Sequence, residues 1–210
     1  MLSTVVQLAL LTGCRRGELA RLRWSDIDLD NGVIAINRDL QVIPGQGAVF
    51  STPKTRKSHR YLRIGTNCIE LLQEWRRVQK AQRFQIGDKW AQTVQIENGK
   101  IVKNDLVFTR WNGEPIDPHT FTTQFSDFVK AHDLPSVHFH SLRHTCATLL
   151  ISQHTPVTEV SHRLGHAQVS TTLNVYSDAV MSADAKAAND LEDIFGRLRE
   201  QTEEPMKNHA

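Results

Sequence analysis

Between Val33 and Ile64 the chain changes its period. Within that stretch Val33 to Asn37, Ala48 to Ser51 and Arg60 to Ile64 read as short strands divided by turns that contain Gly and Pro. On both sides of it, apolar residues recur at helical spacing. Strands this short cannot enclose a core, and tight turns pair strands antiparallel, so the expected architecture is mainly α with one small antiparallel β-sheet, an α+β arrangement. The chain is 210 residues long, a size suited to one domain with at most a small appendage.

The helical segments carry their own punctuation. Leu2 to Leu11 is periodic and is broken by Thr12-Gly13, and Arg16 to Leu22 reads as a second, short helix. Ser25 to Asn31 is turn chemistry. Thr66 or Asn67 can cap a long helix that runs to about Phe84, and Gly87 to Asn104, polar and weakly patterned, reads as a variable loop. Asp117-Pro118 starts a helix with Phe121, Phe125, Phe128 and Val129 on one face. Further helices are expected from Ser141 to about Ser152, from Thr155-Pro156 to Leu164 with Gly165 as the stop, from Ser170 to about Tyr176, and from Ser182 to about Arg199.

Composition narrows the function. Hydrophobic residues are 40% and charged residues 23% of the chain, values of an ordinary globular protein. The longest apolar stretch, Val5 to Leu11, is far too short to span a bilayer. No basic residue precedes it and no small-residue cleavage site follows, so it reads as a core helix and not as a leader. Cys14, Cys68 and Cys146 are odd in number and never paired as C-x-x-C, which indicates neither a disulfide framework nor a zinc ribbon and suits a reducing, intracellular setting. Net charge is only +2, but it is unevenly spread. Ser51 to Arg83 holds nine basic and two acidic residues, whereas from Ser177 onward eight acidic residues face four basic ones. That asymmetry suggests a polyanion-facing body, with Arg56, Lys57 and Arg60 as candidate contacts to the polyanion, and an end that faces something else. The alternative is two solvated helix faces.

Metal chemistry is weakly supported. Asp26-Ile27-Asp28-Leu29-Asp30-Asn31-Gly32 begins like a calcium loop, but Asn31 stands where Gly is needed and Asn37 where a bidentate Glu is needed. His162 and His166 have the i, i+4 spacing of a zinc hydrolase, but Arg163 replaces the general base. His138, His140 and His144 lack an accompanying carboxylate. No metal or other cofactor is expected.

The remaining candidates are cations and hydroxyls at element boundaries. Arg15 stands at a helix mouth, Lys54 in a turn between strands, and His140 and Arg143 on one helical turn. Phosphoryl transfer without a metal needs fixed cations for the non-bridging oxygens, a nucleophile and a proton donor for the leaving group. These residues and Tyr176 supply that set.

In four places the motifs resemble the catalytic domain of the tyrosine recombinases, the phage integrase family. TGCRRGEL at Thr12 to Leu19 is similar to the first box, with Arg15 as its catalytic Arg and Glu18 as the supporting acid. TPKT at Thr52 to Thr55 resembles the hairpin with the catalytic Lys, which points to Lys54 in preference to Lys57. HSLRHT at His140 to Thr145 resembles the box that carries His140 and Arg143. LGHAQVSTTLNVYSD at Leu164 to Asp178 is similar to the last box, with His166 and the nucleophile Tyr176; Asp178 departs from the His that many members have there.

The resemblance implies site-specific DNA recombination, integration or excision, on double-stranded DNA. Tyr176 would attack a phosphodiester to leave a 3′-phosphotyrosyl link and a free 5′-hydroxyl. Arg15 and Arg143 would hold the non-bridging oxygens, Lys54 would protonate the leaving 5′-oxygen, His140 would assist deprotonation of Tyr176, and His166 would donate to the phosphate. A homotetramer on two DNA sites is expected, with accessory directionality factors in some members, in the cytoplasm of a bacterium or a phage host. Residues 1–180 would form the catalytic domain. Residues 181–210 would form a terminal helix and tail that docks either on its own domain or in trans on a neighbouring protomer. Family members carry an N-terminal DNA-binding domain that is expected to be missing here. Two alternatives stand beside this reading: a nicking and resealing enzyme like a type IB topoisomerase, and a DNA-binding module without chemistry.

Overall fold

The computed structural model describes residues 1–37, 39–43, 47–51, 59–95, 101–176 and 192–194. Helix α1 (Leu2–Thr12) runs through the middle of the domain and packs against α5 (Ser141–Ser152), α3 (Thr66–Ile86) and α4 (Pro118–Ala131). Its buried residues Val5, Leu8, Ala9 and Thr12 follow helical spacing, which is why one helix can serve several neighbours. Gly13 ends it in the left-handed conformation at φ +67°, and a Cβ there would come within 2.6 Å of Leu164 Cδ2. Glycine is needed for both reasons.

Helix α3 buries Cys68, Leu72, Trp75 and Gln79 at spacings of four, three and four residues. Trp75 Nε1 donates to the Val107 carbonyl at 2.7 Å, and Gln79 Nε2 donates to the Leu106 and Val107 carbonyls at 2.9 Å, so the segment before α4 is tied to the helix by side chains. Asp117 caps α4 by accepting from the His119 N–H at 2.8 Å, with Pro118 in the first turn. Phe121 and Phe125 of that helix meet Trp75, Phe108 and Phe139 in a chain of ring contacts with centroids 5.8–6.2 Å apart. These rings and α1 form the main core. A smaller core of Ala147, Ile151, Val160, Leu164 and Tyr176 joins α5, α6 (Val157–Leu164) and the end of α7 (Val169–Val175).

The strands differ from the sequence expectation in number and partner. Strands β1 (Ile27–Asp28), β2 (Val33–Ile36) and β5 (Arg60–Arg63) form one antiparallel sheet in the order β1-β2-β5. Strand β4 (Gly47–Ser51) pairs instead with β3 (Asp39–Ile43), a strand that the sequence reading passed over because its alternation spans only five residues before Pro44. The segment read as a variable loop contains a further hairpin, β6 (Thr93–Gln95) and β7 (Ile101–Lys103). The aborted calcium loop is a turn: Asp28 accepts from the Asn31 N–H at 2.9 Å and from Asn31 Nδ2 at 2.7 Å. Of the terminal helix expected from Ser182 to Arg199, residues 192–194 are helical and the rest lies outside the described residues. No helix among the described residues is long and apolar enough to cross a membrane.

Candidate active site

Helix α6 ends with three successive carbonyls that have no helical partner, and each accepts from a different guanidinium. Arg60 Nε donates to the Arg163 carbonyl at 2.7 Å, Arg143 Nη2 to the Leu164 carbonyl at 2.6 Å, and Arg15 Nη2 to the Gly165 carbonyl at 3.3 Å. The negative end of a helix is where cations are stabilised. Gly165 caps α6 at φ +69°, and His166 follows at once. Four positions far apart in the chain thus meet on one turn.

Glu18 is the second fixed point. It closes a capping box at the start of α2 (Arg16–Ala20) by accepting from the Arg15 N–H at 2.8 Å and from Arg15 Nη1 at 3.1 Å. It also accepts from Arg60 Nη1 and Nη2, both at 2.9 Å, in a buried bidentate pair. Burial pushes the Glu18 carboxyl up, but the hydrogen bonds and charge of Arg60, together with the charge of Arg15, outweigh it and hold its pKa below the ordinary range. The Arg60 side chain has no solvent exposure. The expectation that Arg60 touches DNA is therefore corrected: its basic charge is internal because a buried carboxylate and a helix end need it. Arg56, Lys57 and Lys54 lie outside the described residues.

Arg143, on the first turn of α5, is buried and donates Nη1 to the Gly13 carbonyl at 2.6 Å as well as Nη2 to Leu164. Burial and then the Arg15 charge lower its pKa to about 10. Two carbonyls aim the guanidinium while Arg15, with 37% of its side chain exposed, stands at the solvent edge. His166 Nδ1 lies 2.7 Å from Thr172 Oγ1, and burial followed by the nearby Arg143, Arg15 and Arg60 lowers its pKa to about 4, so the ring is neutral at physiological pH. His140 is exposed at the N-terminus of α5; burial of part of the ring, then His144, Arg143 and Arg15, lowers its pKa as well.

Tyr176 follows α7 and is buried, and burial raises its pKa although Arg143 opposes the rise. Its hydroxyl does not meet His140. The partner among the described residues is His144, whose Nδ1 is 3.0 Å from the phenol oxygen. The sequence reading weighed His144 only as a metal ligand. The signal available was its i, i+4 spacing from His140 on a helix whose Arg143 points to the same site. Arg15, Glu18, Arg143, His166 and Tyr176 converge, then, while Lys54 is left open and Arg60 and His144 take parts that the residue types did not announce. The cluster offers fixed positive charge, neutral imidazoles and a phenol, which suits an anionic phosphodiester. Among the described residues no group of three or more His, Cys, Asp or Glu is arranged to hold a metal.

Known proteins resemble this chain in sequence and in fold. The chain is 29% identical over 202 residues to a "Tyrosine recombinase XerC-like" protein of Caldanaerobacter subterraneus subsp. tengcongensis, a match that covers 92% of this chain and 50% of the relative. It is 28% identical over 195 residues to the ICEBs1 integrase of Bacillus subtilis (strain 168), covering 93% of this chain and 50% of that protein. The chain spans about half the length of the curated relatives it matches. Among solved structures, the Tn1549 transposon integrase in complex with transposon right end DNA superposes with a TM-score of 0.74 at 24% identity, covering 90% of this chain and 58% of that one. XerA recombinase superposes with a TM-score of 0.62 at 21% identity, covering 89% and 56%. These likenesses establish the fold, a tyrosine recombinase catalytic domain that is mainly helical with small antiparallel sheets. The sequence profile of the phage integrase family matches residues 2–182, and the chain belongs to that family.

Proposed function

We propose that this chain is the catalytic domain of a site-specific tyrosine recombinase that cleaves and rejoins double-stranded DNA through a 3′-phosphotyrosyl intermediate. The observation that carries the reading is the convergence of Arg15, Arg143 and His166 on the end of α6, with the phenol of Tyr176 close enough for the Arg143 charge to act on it. The two guanidiniums neutralise the charge that builds on the non-bridging oxygens, and a planar fork held by carbonyls does so without reorganising. Neutral His166 donates a hydrogen bond to the phosphate through Nε2. Tyr176 attacks phosphorus; the bond to the 5′-oxygen breaks, and Lys54 supplies the proton that oxygen takes. Attack by a 5′-hydroxyl of a partner strand then releases the tyrosine, so no external energy source is consumed.

Several further parts belong to the same proposal. Residues 1–180 form the catalytic unit, the acidic segment 181–210 docks on a neighbouring protomer, and four protomers assemble on two DNA sites in the cytoplasm, with accessory factors setting direction. Lys54, Arg56 and Lys57 face the duplex. A solved relative is described as a complex with transposon right end DNA, in keeping with a DNA substrate. The test is incubation with a nicked suicide duplex followed by a denaturing gel. A covalent band that disappears in Tyr176→Phe is expected; a band that persists in that variant refutes the assignment of the nucleophile, with Tyr61 as the other tyrosine of the chain.

A further inference from the structure

The phenol that is proposed to attack DNA is already held by an imidazole, and it is not the imidazole of the HSLRHT box's first histidine. His144 Nδ1 is 3.0 Å from Tyr176 Oη, the rings lie 5.6 Å apart, and Tyr176 is otherwise enclosed by the small core of α5, α6 and α7. His144 itself is half-buried, one helical turn beyond His140, whose ring meets it edge-on at 4.9 Å and 83°. His140 is exposed.

We propose that His144 is the catalytic base of the cleavage step: its Nδ1 accepts the Tyr176 proton as the phenol oxygen forms its bond to phosphorus, and returns that proton to the tyrosine oxygen when the 5′-hydroxyl attacks in the rejoining step. This rests on the reading of Tyr176 as nucleophile. The proton balance is closed within the site. In cleavage one proton passes from Tyr176 to His144 while another passes from the general acid to the 5′-oxygen, and both return in the reverse attack. A neutral imidazole with its proton on Nε2 is the form that can accept at Nδ1. The need for such a base is large here, because burial makes Tyr176 a weaker acid than a free phenol. His140 is then left to the phosphate, beside Arg15 and Arg143.

The groups around His144 set the form of the test. They are His140 just before its helix, Arg143 on the helix, His166 in the turn before α7, and Tyr176, on which Arg143 and Cys146 also act. Single-turnover formation of the covalent adduct on a nicked duplex is measured against pH for the wild-type chain, His144→Gln and His144→Phe, with duplex binding and far-UV dichroism as checks on folding. Gln can still accept a hydrogen bond from the phenol but cannot carry a proton, so it separates holding from proton transfer. The expected result is a loss of about 100-fold in both variants, in line with general base contributions, with duplex binding retained and the fall in rate toward acid pH flattened. A second measurement replaces Tyr176 by 3,5-difluorotyrosine, a more acidic phenol. The loss caused by His144→Gln should shrink in that background. If His144→Gln forms adduct at the wild-type rate with an unchanged pH profile, His144 is not the base, while the recombinase reading stands. If Gln restores what Phe loses, and fluorination makes no difference, His144 only positions the tyrosine and the proposal is overturned. If the wild-type chain forms no adduct at all, the reading of Tyr176 as nucleophile fails, and the base assignment falls with it.

Discussion

Replacing Arg60 by Met would remove its hydrogen bonds to Glu18, to the Arg163 carbonyl and to Cys14 Sγ, and leave the Glu18 carboxylate with Arg15 as its hydrogen-bonded cation. Arg60 and Glu18 are both buried, so neither can turn to water when its partner is lost. Methionine fills much of the volume, which confines the effect to charge and hydrogen bonding. Breaking one side of a buried pair costs about 3–5 kcal/mol, far more than the roughly 0–1 kcal/mol of a surface pair. For a domain of this size that corresponds to a fall in Tm of roughly 6–20 °C. The pH dependence carries a sign that a packing defect would not share. In the wild-type chain the Glu18 pKa is depressed, so its contribution is present above the unfolded carboxyl value of about 4.3 and is lost as pH falls through the lower folded value. In Arg60→Met burial is no longer outweighed by the Arg60 hydrogen bonds and charge, the Glu18 pKa rises, and protonation relieves the strain. The gap between the two proteins should therefore be widest near neutral pH and narrow below about pH 4. Adding Glu18→Gln to Arg60→Met should recover about 0.5–3 kcal/mol, the range of coupling for residues in contact. Urea unfolding at several pH values measures all three. A loss under about 1 kcal/mol at neutral pH, or a gap that does not narrow in acid, would show that this pair is not what holds the site.

Gly13→Ala is expected to destabilise by about 1–3 kcal/mol in thermal unfolding, because a side chain at φ +67° is strained and its Cβ would sit 2.6 Å from Leu164 Cδ2; an unchanged Tm would contradict this. Tyr176→Phe should bind duplex within about twofold of wild type yet yield no covalent band, since only the nucleophilic oxygen is gone. Duplex binding should weaken steeply as salt rises, through phosphate contacts from the basic segment, and Arg60→Met should leave that salt slope unaltered because its cation is internal; a shallower slope in the variant would return Arg60 to the DNA-facing set.

What the sequence made legible was set by short-range physics. Helix limits followed from local devices: Thr12-Gly13 ends α1, Asp117-Pro118 starts α4, and Gly165 stops α6, each within a residue or two of its expected position. Strand partners were not legible, because alternation marks a strand but carries no information on which strand lies beside it; β4 found β3 and not the sheet of β2 and β5. Charge was misread for a similar reason. Arg60 stands in a run of basic residues, and nothing local distinguishes the one cation whose alternating position on β5 faces inward, between the exposed His59 and Tyr61. The carboxylate that draws it in lies 42 residues earlier.

The end of α6 explains why so much of the site could be named without knowing its geometry. Residue types with fixed chemistry, guanidinium and imidazole, sit next to the backbone features that hold them. Arg143 donates to the carbonyl of Gly13, the residue that ends α1, and to that of Leu164, the last residue of α6. Arg15 reaches the carbonyl of Gly165, and His166 emerges from the same turn. Each of these carbonyls belongs to a helix end, where it lacks an intrahelical donor. A Cβ on Gly165 would lie 2.7 Å from Arg60 Nη1, so the glycine that stops the helix also makes room for the guanidinium that supports Glu18. Helix termination and the aiming of the cations are one structural event, and a change that shifts the end of α6 must move Arg15, Arg143 and His166 together.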